Sequence, residues 1–254
     1  MALLSRPGFN TTAVATALLV ATLVAWAVAI DQMRGMDAGP GTDLGDFSWF
    51  IGIWLTMTVA MMLPSAAPTT LLFSRFGRGA QTACFVGGYV LAWTLFGAAA
   101  YAVSRAAHAT APSFVAWSQR GPWVAGAALA AAGAYQLTPL KTACLRHCRS
   151  PLGFLLRRRA GGLGAVRAGL GHGGYCIGCC AGLMLALFVL GIMSLFWMAV
   201  AAVAILAEKT FPGGERLARV LAVALVAAGV WIAVSPASLP GLHQPGHMPM
   251  EMQR

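Results

Sequence analysis

The sequence predicts an all-α protein, a polytopic bundle of transmembrane helices. The composition is the first observation behind this prediction: 59 % of the residues are hydrophobic and 9 % are charged, whereas about a quarter of a soluble domain is charged. Uncharged apolar runs also recur along the chain, and several reach the roughly 20 residues that a helix needs to span a bilayer. Because these runs are continuous rather than alternating, helices are the expected spanning elements.

About seven spans are predicted, with the N-terminus in the cytoplasm. The first run, Thr11–Ile30, is interpreted as an uncleaved helix, because its apolar stretch is longer than the core of a secretory signal. The run 168–207 would be about 60 Å long as one helix, twice the hydrocarbon thickness. We therefore expect two helices joined near Leu190–Gly191; a single long helix would reduce the count to six spans. The remaining runs are Phe47–Ser74, Gly79–Ser104, Gly121–Leu140 and a shorter one from Val220 to about Ser235.

Charge placement supports this topology. Seven spans put most lysines and arginines on the cytoplasmic side, including the basic loop Lys141–Arg167, as the positive-inside rule requires. The net charge of +10 is thereby explained by orientation in a lipid bilayer with anionic headgroups, and no nucleic-acid partner is expected. We predict one transmembrane domain over residues 1–238, followed by a disordered tail rich in His and Met over residues 239–254.

The cysteines are the main functional signal, and all six are predicted in the cytoplasmic half of the bundle. Since the cytosol keeps thiols reduced, a structural disulfide set is disfavoured and metal binding or transient redox chemistry is favoured. In HGGYCIGCC, residues 172–180, a helix would gather the side chains of His172, Cys176, Cys179 and Cys180 within an arc of about 100°. Alternatively, the glycine pair 173–174 breaks the helix and leaves His172 in the preceding loop.

A second cluster, TPLKTACLRHCRSP, covers residues 138–151. Cys144, His147 and Cys148 stand at i, i+3 and i+4, which is one face of a helix, and prolines bracket a predicted element of about three turns. Both clusters are expected at the same membrane level, where their thiols and imidazoles would form one soft-metal site. Cys84 is interpreted as structural.

Secondary metal candidates follow from thioether and imidazole chemistry, which suits copper. Glu208 and Lys209 are interpreted as an interfacial ion pair at a helix end or as a charged gate. The secondary metal candidates are Met61 and Met62 before Pro64, Met184 one turn beyond Cys180, and the tail residues His243, His247, Met248, Met250 and Met252.

Three motifs, AMMLPSAAP, YQLTPLKTACLRHCRSP and HGGYCIGCCAGLM, together with Glu208-Lys209, resemble a bacterial family of predicted metal-binding integral membrane proteins. The resemblance covers roughly residues 45–235. Some members of that family are described as copper chaperones that help metallate cuproenzymes such as tyrosinase. The resemblance implies a location in the bacterial inner membrane, copper handling and a client cuproenzyme; the ligand assignments above rest on spacing alone.

The sequence therefore predicts a membrane protein that binds and delivers Cu(I), with Zn(II) as the alternative metal for the same ligands. We expect it not to be an enzyme, because no phosphate-binding glycine loop and no acid–base constellation is present. Two alternatives stay open: a membrane thiol–disulfide oxidoreductase that uses the CxxCC cysteines, and a purely structural metal clip between helices.

Overall fold

The fold is all-helical, as the sequence predicts. The computed structural model describes residues 11–34, 44–76, 79–110, 120–150, 161–191 and 194–235. Within these residues the chain forms eight α-helices and no strand. They are α1 (Thr11–Met33), α2 (Phe47–Phe76), α3 (Gly79–Thr110), α4 (Gly121–Gln136), α5 (Pro139–Arg149), α6 (Gly162–Leu190), α7 (Leu195–Thr210) and α8 (Gly214–Val234).

Five of these helices, α1, α2, α3, α6 and α8, are long and apolar enough to cross a membrane. The helices α4 and α7 are apolar as well, but each has 16 residues and is about 24 Å long. The predicted break in the run 168–207 is confirmed, because α6 ends at Leu190 and Gly191 follows at φ +109°. Glycine reaches that left-handed region without the clash of a Cβ. The count of seven spans stays a prediction.

Contacts at glycine residues show which helices pair around the shared core. Gly169 of α6 contacts Phe85 of α3, and Gly173 contacts Ala92. Because the residue numbers of both partners increase in the same direction, α3 and α6 are parallel. The contacts of Gly126 with Gly229 make α4 and α8 neighbours. Small residues at these crossings let the backbones approach closely, as in other helix pairs within membranes. The resulting core holds most of the candidate ligands that the structure describes, including Cys176 and Met61.

Two prolines, Pro64 and Pro68, lie inside α2 without ending it. Proline has no N–H, so Pro64 leaves the carbonyl of residue 60 without its helical donor. The indole Nε1 of Trp26 on α1 donates to the oxygen of Ala60 at 3.1 Å. A neighbouring helix thus satisfies the freed carbonyl, which is the condition for tolerating proline at membrane depth.

The short helix α5 places the second cysteine cluster. Thr138 caps its N-terminus, since its hydroxyl accepts from the backbone N–H of Lys141, and Pro139 occupies the first helical position, where its missing N–H costs nothing. The helix spans 11 residues, so the prediction of about three turns is confirmed. It packs against α6 and α7.

Candidate metal centre

Cys176, Cys179 and Cys180 form the centre of the site on α6. The segment is helical through both glycines, so the helix-breaking alternative is wrong and the 3.6-residue period brings the three thiols together. Their sulfurs lie within 4.8 Å of one another, and the Sγ atoms of Cys179 and Cys180 are 3.5 Å apart. Each side chain is at most 1 % exposed. Such a group of free thiols can hold a soft metal ion.

Helix α5 adds a fourth thiol to this group. The Sγ of Cys148 lies 3.7 Å from the Sγ of Cys179, and Cys148 is half-buried whereas Cys179 is fully buried. Cys148 therefore stands between the outer surface of the bundle and the buried thiols. The two clusters contact each other through this pair of thiols, and their common level in a membrane stays a prediction.

Cys144 also faces α6. A Cβ built on Gly178 would lie 2.6 Å from the Sγ of Cys144, so the missing side chain at Gly178 makes room for the thiol. Burial raises the pKa of Cys144 above its ordinary value, which keeps this thiol protonated at neutral pH. A metal that recruits Cys144 must therefore displace a proton.

The buried thiols have a cationic partner in Lys209. Its Nζ lies 3.0 Å from the Sγ of Cys176 and 3.0 Å from the hydroxyl of Ser65. The hydroxyl of Tyr89 lies 3.1 Å from the same sulfur. Lys209 and Tyr89 come from α7 and α3, so two neighbouring helices contact the Cys176 sulfur, and Ser65 of α2 accepts a hydrogen bond from the same lysine. Donors around sulfur favour its thiolate form, which is the form that binds metal.

The two histidines lie beside the cysteine group rather than within it. His172 is buried, with its ring 5.9 Å from that of Phe85 and 5.7 Å from that of Tyr89. His147 stacks on Tyr175, with the ring centroids 3.9 Å apart. Among the described residues, the group whose ligand atoms all lie within 4.8 Å of one another consists of the three α6 cysteines and includes neither imidazole. The structure thus brings together the thiols of the predicted site and places its imidazoles against aromatic rings.

Glu208 and Lys209 point to different partners. Glu208 is 1 % exposed and its carboxylate accepts from Lys141 Nζ at 2.7 and 2.8 Å. Gln136 contacts both members of this pair. The pair joins α5 to α7, and it holds the helix of Cys148 next to the helix of Lys209. An ion pair at Glu208 is therefore present, with Lys141 as its cation.

The remaining candidates lie around this centre. Met61, Met62 and Met184 are buried and line one small cavity between α2, α3 and α6. Cys84 packs in a separate small cluster with Phe73 and Phe85. The tail candidates His243, His247, Met248, Met250 and Met252 fall outside the described residues.

Comparison with known protein families places this geometry in context. The family described as PpoB2, copper chaperone, matches residues 51–232, which is well over half of the chain and contains every thiol of the site. The chain belongs to this copper chaperone family. No curated protein and no solved structure matches it.

Sequence reasoning about this copper chaperone family member missed three polar residues at the site: Tyr89, Lys141 and Gln136. Each lies in or beside an apolar run, and a polar group inside a membrane segment is by default a functional candidate. That signal was available for Gln136 and Lys141, which flank Pro139 in the second motif. The pairing of Tyr89 with Cys176 had no signal along the chain, because it depends on how α3 packs against α6.

Proposed function

We propose that this chain is a membrane copper chaperone that binds Cu(I) at its cysteine cluster and delivers it to a client cuproenzyme, in the inner membrane of a bacterium. The observation that carries the proposal is the continuous series of thiols from half-buried Cys148 through Cys179 to Cys180, with sulfur–sulfur distances of 3.7 and 3.5 Å. Membership of a copper chaperone family supports copper as the cargo.

The chemistry of the donors supports a soft ion. Thiolates prefer Cu(I) to hard cations such as Mg²⁺ or Ca²⁺. Four thiols would also satisfy Zn(II), so the donor set alone does not separate the two metals. The family favours copper over zinc.

The geometry favours transfer over permanent storage. Neighbouring sulfurs that differ in burial allow a metal ion to pass from one thiolate to the next without leaving the protein. Lys209 supplies positive charge beside Cys176, which offsets the negative charge of a copper–thiolate group in a low-dielectric interior. We propose a carrier on this basis, and neither a thiol oxidoreductase nor a structural clip.

The test is a Cu(I) competition titration of the purified protein in detergent against a chromophoric Cu(I) chelator. The variant carrying Cys176→Ser, Cys179→Ser and Cys180→Ser is expected to lose tight binding, because serine hydroxyls are hard donors. Cys84→Ser is the matched control, since this half-buried cysteine lies in a separate cluster, and it is expected to bind like the wild type. A triple variant with full stoichiometry and affinity would refute the assignment.

A cellular readout separates the carrier from the structural clip. The triple serine variant is expected to leave a co-expressed cuproenzyme largely without copper, while Cys84→Ser supports normal copper loading. A clip would instead show lower thermal stability after metal removal with no change in the copper content of the cuproenzyme.

A further inference from the structure

A small cavity lies deeper along the bundle than the cysteine cluster. Four methionines line it: Met57, Met61 and Met62 of α2 and Met184 of α6. All four are at most 4 % exposed. The cavity leaves about 10 Å³ for the centre of a water-sized particle, which is room for one water molecule or one monatomic ion.

The walls of this cavity suit a soft cation better than water. A buried water needs two to four polar partners. Besides the methionines, the described residues that line the cavity are Thr58, Trp54 and Trp93. The Trp54 Nε1 already donates to the Trp93 carbonyl, so the Thr58 hydroxyl and the unpartnered Trp93 Nε1–H reach only the minimum of two. Four thioethers are the ligands that select Cu(I), whereas Zn(II) takes thiolate, imidazole or carboxylate. We propose that the cavity is a second metal site, a thioether site for Cu(I) that rejects Zn(II).

The two tryptophans of the cavity wall would partly compensate the positive charge of the bound ion. Thioethers are neutral, so Cu(I) bound by them keeps its positive charge in a low-dielectric interior, where an uncompensated charge is costly. The Trp54 and Trp93 rings, with centroids 6.5 Å apart, both line the cavity, and an aromatic face attracts a cation within about 6 Å. This compensation is weaker than that of thiolates, so the methionine site holds copper less tightly than the cysteine site.

The two sites adjoin. Met184 follows Cys180 by one helical turn on α6, and Tyr89 bridges the two regions through contacts with Cys176 Sγ at 3.1 Å and the Met62 carbonyl at 3.4 Å. The methionine site is therefore the neighbouring site to which an ion can move from Cys180. This inference rests on the proposed copper function, and it adds a selective, weaker site on the path of the ion.

The experiment uses the full chain in detergent with ¹³C-labelled methionine methyl groups, titrated with Ag(I) as a redox-stable substitute for Cu(I). The cysteine cluster is expected to bind Ag(I) first, as the tight class of sites. Further Ag(I) is expected to shift the methyl resonances of the four methionines, whereas Zn(II) is expected to leave these resonances unchanged. The double variant Met61→Leu, Met184→Leu is expected to lose the second class of Ag(I) binding and keep the first, because leucine replaces methionine at small packing cost.

Met198→Leu is the matched control, because Met198 is fully buried in the same core and does not line the cavity. It is expected to keep both classes. The proposal is overturned if the double variant retains the second class, if saturating Ag(I) leaves the four resonances unmoved so that the cavity holds water only, or if Zn(II) shifts them.

The triple cysteine variant keeps the two proposals apart. If the cysteine assignment is right, that variant loses the tight class, and Ag(I) shifts the four methyl resonances from the first addition. If it instead keeps the tight class, the cysteine assignment fails, while the methyl resonances still decide the methionine site.

Discussion

Lys209 places a cationic group beside the cysteine cluster. It touches Cys176 Sγ and Ser65 Oγ at 3.0 Å each, and it lies next in sequence to Glu208, which is committed to Lys141. Glu208 thus pairs with Lys141, whereas Lys209 contacts Cys176. Copper held by two or three thiolates is an anionic group, and a buried anion is stable only beside a cation or hydrogen-bond donors.

Replacing Lys209 with glutamine is therefore expected to weaken Cu(I) binding at the cysteine cluster by about tenfold or more, since a hydrogen bond to a charged group contributes about 1.5–3 kcal/mol. Competition titration in detergent measures this change. Arg219→Gln is the control, because Arg219 is an exposed cation of α8, and its affinity should equal that of the wild type. An unchanged affinity in Lys209→Gln would mean that Lys209 is a packing residue only.

Local periodicity explains how much of the site could be read at the residue scale. The Cys176, Cys179 and Cys180 stripe was predictable because helical spacing alone sets it. The contacts of Lys209 and Tyr89 with Cys176 were not, because they depend on which helices pack together and in which rotation. The same limit applies to His172. It belongs to the same helical stripe as the cysteines, yet its ring packs against aromatic rings of α3.

At the scale of elements, the crossing of α3 and α6 positions the site. Gly169 lies where the backbone of Phe85 comes closest to α6, and a Cβ at this position would collide with the Phe85 carbonyl. The same crossing brings Tyr89 to Cys176. The contact between these two helices therefore fixes a hydrogen bond to the thiol.

Gly169→Ala is expected to lower the thermal stability of the bundle, by the 1–3 kcal/mol typical of an overpacked contact, and to weaken Cu(I) binding as α3 moves away from α6. Gly171→Ala is the matched control two residues away on the same helix, where an added Cβ meets nothing within 4 Å. This control is expected to be neutral or slightly stabilising, since alanine favours helix over glycine. Thermal unfolding in detergent compares the two, and equal melting temperatures would contradict the close-packing account.

The boundaries of the elements followed from sequence where a local residue sets them. Gly191 ends α6, and Thr138 with Pro139 begins α5, so both boundaries were expected. The starts of α6 at Gly162 and α8 at Gly214 come earlier than the apolar runs at Ala168 and Val220. Helices continue beyond the hydrophobic zone into residues that carry charge, which hydropathy alone does not mark.

At the scale of the whole molecule, the candidate ligands follow one another from the half-buried end of α5 into the core. Cys148 is half-buried near the end of α5, the α6 thiols follow, and the methionine cavity lies one turn beyond them. The parallel pair α3 and α6 is what the predicted seven alternating spans would produce. Under that topology, the thiols face the reducing cytosol and the methionines lie toward the oxidising side, where thioethers withstand conditions that consume thiols.

This orientation predicts a labelling pattern for single cysteines introduced into a cysteine-free variant expressed in bacterial cells. An impermeant maleimide is expected to label His108→Cys and Ser235→Cys in intact spheroplasts, because these exposed positions at the ends of α3 and α8 would face outward. Ser150→Cys, exposed at the end of α5, should react only after permeabilisation. Labelling of Ser150→Cys from outside would mean that the bundle has the opposite orientation and that Cys148 faces an oxidising compartment. The thiols would then be exposed to oxidation. The thiol-oxidoreductase alternative would explain the cluster better than copper delivery does.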